Sequence, residues 1–147
     1  MITWKSSPFN ALSTIELYNY LALRNEVFIV EQNCPYQDLD GLEEQAIHLI
    51  AYEGSKAVAC ARLFAPGISY QEVSIGRVIT KASHRKTGLG HQLMQKAISE
   101  CDVLFGKQAI KIGAQAYLKK FYESHGFTTV SAIYLEDDIP HIKMLRN

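Results

Sequence analysis

The sequence has no uninterrupted apolar run long enough to cross a bilayer, although 48% of its 147 residues are hydrophobic. Its start, "MITWKSSPFN", lacks the charged head and apolar core of a secretory signal, so the expectation is a soluble, cytoplasmic chain with no membrane partner. Cysteine is scarce: Cys34, Cys60 and Cys101 are odd in number and far apart. That spacing excludes a zinc knuckle or a redox pair and leaves three free thiols. No metal site is expected elsewhere. "DLDG" has Tyr36 where a calcium loop needs its first carboxylate, and His84 and His91 have no carboxylate or cysteine beside them. Repeats, low-complexity stretches and internal linkers are absent, which fits one domain over residues 1–147. Net charge is also absent, the formal sum being +0. With no interleaving of aromatic and basic residues, this argues against nucleic acid as a partner.

The zero hides an uneven distribution. Between Arg24 and Lys56 there is no lysine or arginine, while Glu26, Glu31, Asp38, Asp40, Glu43, Glu44 and Glu53 are acidic. Between Glu72 and Glu100 there is no carboxylate, while Arg77, Lys81, Arg85, Lys86 and Lys96 are basic. Two stretches bordering one cleft would offer a polyanion one wall and a cation the other. Two unrelated solvated faces are the alternative.

Helical and strand periodicities alternate along the chain. "MITWKSSPF" reads as a strand ended by Pro8. Ser13 caps a helix reciprocally with Glu16, and that helix runs to about Gln32. "NCPYQDLDGLEEQ" is a long loop. "AIHLIAYE" and "KAVACARLF" flank the turn "EGSK" as an antiparallel hairpin. "QEVSIGRVIT" is a strand, followed by a helix to about Cys101. "QAIKIGAQ" is a strand and "AYLKKFYESHG" a helix closed by Gly126. "FTTVSAIYL" and "PHIKMLRN" are the last strands.

Between strand and helix at the centre lies "HRKTGLGHQLM". Glycine costs helix propensity, so Gly88 and Gly90 need a reason in the first turn. One reason is an anion held on the unpaired N–H groups of the helix, with Arg85 and Lys86 adding charge. The other is a tight loop that needs positive φ. The stretch is neither a P-loop nor a dinucleotide fingerprint, since Gly-Lys-Ser/Thr and a third glycine are missing.

"IGRVIT" followed by "HRKTGLGHQLMQKAI" resembles the central motif of the GNAT-type N-acetyltransferases, whose Gln/Arg-x-x-Gly-x-Gly/Ala signature is met by Arg85, Gly88 and Gly90. "AQAYLKKFYESHGF" resembles the family's next strand-end and helix. "LRNEVFIVEQNCPYQDLDG" and "YLEDDIPHIKM" resemble its small bacterial ElaA-like branch. The resemblance implies an α/β fold: a mixed, mostly antiparallel sheet with splayed middle strands and flanking helices. It implies acetyl-CoA as cofactor, lying along the splay, with transfer of its acetyl group to a primary amine by direct attack in a ternary complex.

By that resemblance, the backbone of Val78, Ile79 and Thr80 pairs with the pantetheine arm, and an N–H near Val78 or Ile79 polarises the thioester carbonyl. The amides of Arg85, Lys86, Thr87, Gly88, Leu89 and Gly90 hold the pyrophosphate. Tyr122 takes the place of the family's general acid. Its alternative is packing with Leu118 and Phe121. Gln115 stands where relatives have an asparagine on the cofactor arm, one methylene shorter.

The residues themselves offer His48 as general base, because its ordinary pKa lies nearest neutrality, and a strand-edge histidine satisfied by backbone is the alternative. Glu31, Asp38 and Asp40 in or near the acidic loop would recruit a cationic amine. Family members are often dimers through their late strands, so "AIYLEDDIPHIKM" is the candidate homodimer edge. Two other functions remain open. "LRNEVFIVEQ" and "GLEEQAIHLIAY" faintly resemble acyl-homoserine-lactone synthases, and a non-catalytic CoA-binding sensor would keep the same cofactor signature.

Overall fold

A computed structural model describes all residues from Met1 to Asn147. Eight strands form one sheet: β1 (Ile2–Pro8), β2 (Ile47–Glu53), β3 (Lys56–Phe64), β4 (Val73–Thr80), β5 (Ile110–Gln115), β6 (Thr128–Thr129), β7 (Tyr134–Glu136) and β8 (Ile139–Arg146). Their spatial order is β1-β2-β3-β4-β5-β8-β6, with β7 also paired to β8. Every pairing is antiparallel except β4 with β5. That parallel pair is joined by helix α2 (Leu89–Phe105), as a parallel connection requires.

Helix α1 (Thr14–Arg24) starts as its sequence predicts. Glu16 N–H donates to Ser13 Oγ at 3.1 Å, and Ser13 N–H donates back to Glu16 Oε1 at 2.8 Å. The helix and the segment that continues it cover one face of β2–β4, where Tyr20 and Leu23 of α1, followed by Val27 and Phe28, pack on Ile50, Cys60 and Ile79. On the other face, α2 sets Leu93, Met94 and Ala97 against Ala59, Ala61 and Leu63. With helices on both sides, β3 is buried from Ala57 to Phe64 and loses the in-out alternation of a half-exposed strand.

Three expected elements differ. The first helix was expected to continue to about Gln32, but beyond Arg24 it widens into a π-helical segment, Asn25–Glu31, with Gln32 N–H on Val27 O and Cys34 N–H on Ile29 O. Side-chain periodicity barely registers that change from i→i+4 to i→i+5 bonding. "FTTVSAIYL" is two short strands rather than one. Ser131 Oγ takes the N–H of Lys143 at 2.8 Å and so replaces a backbone ladder bond between them. The "AYLKKFYESHG" helix is a 3₁₀ turn, Ala116–Leu118, followed by α3 (Lys119–Glu123).

The sheet opens at its centre. β4 and β5 pair only through Val73 with Ile110 and Ser74 with Lys111, and then diverge. From Ile75 onward, β4 therefore lacks a neighbour on its β5 side, and a cavity of about 390 Å³ fills the gap.

Candidate active site

The open wall of this cavity is shaped by a β-bulge. Along β3 the register moves two residues, from Arg62 to Cys60, while β4 advances three, from Gly76 to Ile79. Arg77 absorbs the extra residue with φ +48, a conformation costly for a non-glycine residue. Its guanidinium is anchored: Nε donates to Asp38 Oδ1 at 2.7 Å, Nη2 donates to Asp38 O at 3.0 Å, and the group lies over the Phe28 ring. Val78, Ile79 and Thr80 follow the bulge and line the cavity.

One end of the cavity is the start of α2. The first helical bond is Gln92 N–H to Gly88 O, 3.1 Å, so the N–H groups of Leu89, Gly90 and His91 have no helical acceptor. The two glycines have different reasons. Gly88 caps the helix at φ +85, which alone accounts for it. Gly90 has no positive φ, and a Cβ there would make only ordinary contact with Phe121, 3.7 Å away. Its bare backbone instead lines the cavity beside the free N–H groups. Thr87 closes the preceding turn through its hydroxyl on His84 O, Lys86 adopts φ +63, and its ammonium has no ion-pair partner.

Arg85 takes an unexpected position. It forks onto Glu31 at 2.6 and 3.0 Å and onto the Thr80 carbonyl at 3.2 and 3.0 Å, bridging the π-helical segment and the end of β4. The acidic and basic stretches of the sequence thus meet pairwise across the fold. Lys81 with Glu26, Arg77 with Asp38 and His84 with Glu53 repeat the pattern. They are neither two unrelated faces nor two free walls.

Deeper in the cavity lies Tyr122, only 5% exposed. A Schellman motif sets its position: Phe127 N–H bonds to Tyr122 O at 3.2 Å, Gly126 N–H bonds to Glu123 O at 3.0 Å, and Gly126 supplies φ +89. Phe127 and Phe121 pack edge-on to its ring. The hydroxyl makes no hydrogen bond with the protein, yet it is not sealed away like the unpartnered Ser74 Oγ. Burial, with a smaller contribution from Tyr117, pushes the phenol above its ordinary range, so it stays protonated. Gln115 also lines the cavity with its amide unengaged.

The other predicted groups lie elsewhere. His48 does not reach the cavity. It is fully buried behind α1, with Nδ1 2.8 Å from the Tyr20 hydroxyl and Nε2 2.8 Å from Glu43 O. Burial lowers its pKa, and neither nitrogen is available to a substrate: it is a satisfied core histidine, with backbone as one partner and the Tyr20 side chain as the other, on an inner strand. Asp38 and Asp40 are likewise committed. Asp38 bridges Arg24 and Arg77, and Asp40 takes both terminal nitrogens of Arg62. They staple the 33–46 loop to the sheet instead of receiving an amine. Of the acidic trio only Glu31 reaches the cavity, and it holds Arg85.

Three side chains that the sequence does not single out face the cavity: the carboxylates of Glu136, at the end of β7, and Asp137, in the turn to β8, and the imidazole of His141 in β8. "YLEDDIPHIKM" was read only as a family resemblance and a dimer edge. Its signal was the acidic pair inside a hairpin turn, followed by a histidine.

The chain matches the acetyltransferase (GNAT) domain family model over residues 16–146. It is 42% identical to the protein ElaA of Escherichia coli over 99% of this chain and 97% of that one. The crystal structure of E. coli ElaA superposes over the whole of both chains with a TM-score of 0.93. An acyl-CoA N-acyltransferase from Pseudomonas aeruginosa, 42% identical, superposes with a TM-score of 0.95 over 100% of both chains. A CoA-dependent acyl-homoserine lactone synthase shares the fold alone, at 18% identity and a TM-score of 0.78. The glycine-opened helix, the parted strands and the near full-length similarity agree: this chain belongs to the GNAT acetyltransferase family.

Proposed function

We propose that the protein transfers the acetyl group of acetyl-CoA to a primary amine by direct attack in a ternary complex. The observation that carries this is one continuous cavity. It runs along the unpaired edge of β4, from the free N–H groups at the start of α2 to the unpartnered hydroxyl of Tyr122.

The residues fit acyl-CoA as donor. The N–H groups from Leu89 to His91, at the positive end of α2, with the unpaired Lys86, suit a pyrophosphate. The β5-side edge of β4 along Val78, Ile79 and Thr80, where Arg85 already takes the Thr80 carbonyl, suits the amides of an extended arm, and Gln115 offers an amide from the opposite wall. Acyl-CoA supplies an activated thioester. A backbone N–H near Val78 or Ile79, beside the bulge, would serve as the preorganised donor that favours developing negative charge on its carbonyl. Tyr122 keeps its proton until a thiolate needs it.

Calorimetric titration with acetyl-CoA and CoA, followed by thiol-release assays across primary amines, tests the proposal. Micromolar binding with amine-dependent release of CoA is the expected result. Absence of binding by the folded protein refutes the donor assignment. Binding without release for any amine favours a sensor.

A further inference from the structure

The cavity wall opposite α2 is made by the β7–β8 hairpin. Asp137 and Asp138 both have positive φ, +50 and +62, so they form the two central residues of a tight turn between Glu136 and Ile139. Glu136 and Asp137 line the cavity, and the Asp137 carboxylate has no ion-pair partner. The turn is tied to the 33–46 loop by the Cys34 thiol, which donates to Asp137 O at 3.3 Å.

His141 stands behind this turn, 7% exposed, opposite Gln115 in the β5–β8 register. Its Nδ1 lies 2.7 Å from Ile139 O. A carbonyl only accepts, so the neutral ring keeps its proton on Nδ1 and its lone pair on Nε2. Nε2 makes no hydrogen bond and has Glu136 Oε2 3.5 Å away. On this otherwise buried histidine Nε2 is not sealed away, and a ring nitrogen with an idle lone pair at the cavity wall is a proton acceptor awaiting a donor.

We propose that His141 Nε2 accepts the proton of the attacking amine, and that Glu136 and Asp137 first hold that amine as an ammonium. The acceptor is then a primary alkylamine without a carboxylate next to its nitrogen, because two carboxylates at the entrance repel an α-amino acid's own. Phe28 and Tyr36 give the same cavity an apolar flank for the alkyl chain. This inference rests on the acyl-transfer reading above.

The step balances. The ammonium gives one proton to Nε2, and the freed lone pair forms the C–N bond. As the C–S bond breaks, the thiolate takes the Tyr122 proton. The second proton on nitrogen restores the tyrosine. The products are amide, thiol and one proton on His141, which passes to solvent. Several groups surround the ring. They are Glu136 and Tyr134 on β7, Lys143 farther along β8 with its ammonium between the Tyr70 and Tyr134 hydroxyls, and Asp137, Tyr36 and the Asp38-bound Arg77 across the cavity.

Three readouts test it. Nitrogen-15 histidine spectra of the wild-type chain should show the neutral His141 ring carrying its proton on Nδ1, as its contact with Ile139 O requires; a neutral ring protonated on Nε2 overturns the assignment. Bromoacetyl-CoA, whose C–Br bond breaks as a neutral imidazole forms the N–C bond and bromide leaves, should alkylate His141. Excess CoA should protect it, and the label should persist in Cys34→Ser and vanish in His141→Gln. Labelling confined to other residues while CoA binds overturns this inference and leaves the acyl-transfer reading standing, whereas absence of CoA binding removes both. With acetyl-CoA, 1,4-diaminobutane should be acetylated in preference to alanine. His141→Gln should lower kcat about 100-fold, remove the acid limb of the pH profile, and leave KM for acetyl-CoA within about twofold. Equal or better use of alanine, no release with either amine, or an unchanged pH profile overturns it.

Discussion

Gly90→Asp should separate folding from binding, because the two effects of the substitution have opposite signs. Gly90 sits in the first turn of α2 without positive φ, and a Cβ there meets nothing closer than the Phe121 ring at 3.7 Å. Folding therefore gains: aspartate has a slightly better helix propensity than glycine and faces the positive end of the dipole, together worth about 0.3–1 kcal/mol. For a chain of this size that raises Tm by about 1–4 °C. Binding loses. A carboxylate about 5 Å from a phosphate, at an effective dielectric of about 20, costs about 3 kcal/mol. That weakens CoA by about two orders of magnitude. Gly90→Ala is the control, since it improves the helix without adding charge and should keep CoA affinity within about tenfold of wild type. Thermal melts and calorimetry on the three proteins make the comparison. CoA affinity within tenfold of wild type in a folded Gly90→Asp variant would refute the placement of the pyrophosphate at this helix.

Tyr122→Phe should leave thermal stability within about 0.5 kcal/mol, since the hydroxyl has no protein partner to lose, and reduce kcat by about 10²-fold with KM for acetyl-CoA little changed. A variant as active as wild type removes Tyr122 from proton transfer. Asp38→Asn should cost about 3 kcal/mol and lower Tm by about 6–12 °C, because it leaves the fully buried Arg24 with Glu43 as its one carboxylate and the strained Arg77 with only the 3.5 Å pair to Asp40; chemical unfolding measures it. Burial pushes the Cys60 thiol up to about 12 from its ordinary 9.0, so the unfolded chain releases this proton first as pH rises. Stability from this group is whole below about pH 9 and is lost as pH climbs toward about 12. Urea unfolding at about pH 8 and about pH 10.5 should show the fall, and Cys60→Ala should make it shallower without abolishing it, since burial raises the Cys101 thiol to about 12 as well.

Local signals carried much of this fold. The Ser13–Glu16 cap, the hairpin around "EGSK" and the Gly126 stop depend on bonds within a few residues of one another, so residue type and spacing were enough to read them. The same holds for the glycine turn before α2, although the structure divides its two reasons: Gly88 answers to φ and Gly90 to the cavity. Family resemblance extended this reading to Tyr122 and the backbone of β4. The π-helical segment and the broken late strand escaped because each hinges on one hydrogen-bond choice that hydrophobic periodicity does not encode.

Charged and titratable groups were where one-dimensional reading failed. His48, Asp38 and Asp40 have suitable chemistry, but partners brought up by the folding of the chain occupy them: Tyr20 and the nearby Glu43 for the histidine, Arg24, Arg77 and Arg62 for the carboxylates. His141 and Glu136 carry no stronger signal in sequence, and became visible only once the parting of β4 from β5 and the turn before β8 brought them to the cavity. The sequence by itself determined the element types, their order and the family, because those follow from short-range patterns and motifs. Tertiary structure alone decided which polar groups are already satisfied and which remain free to meet a substrate, because a hydrogen bond or ion pair is a property of distance in space.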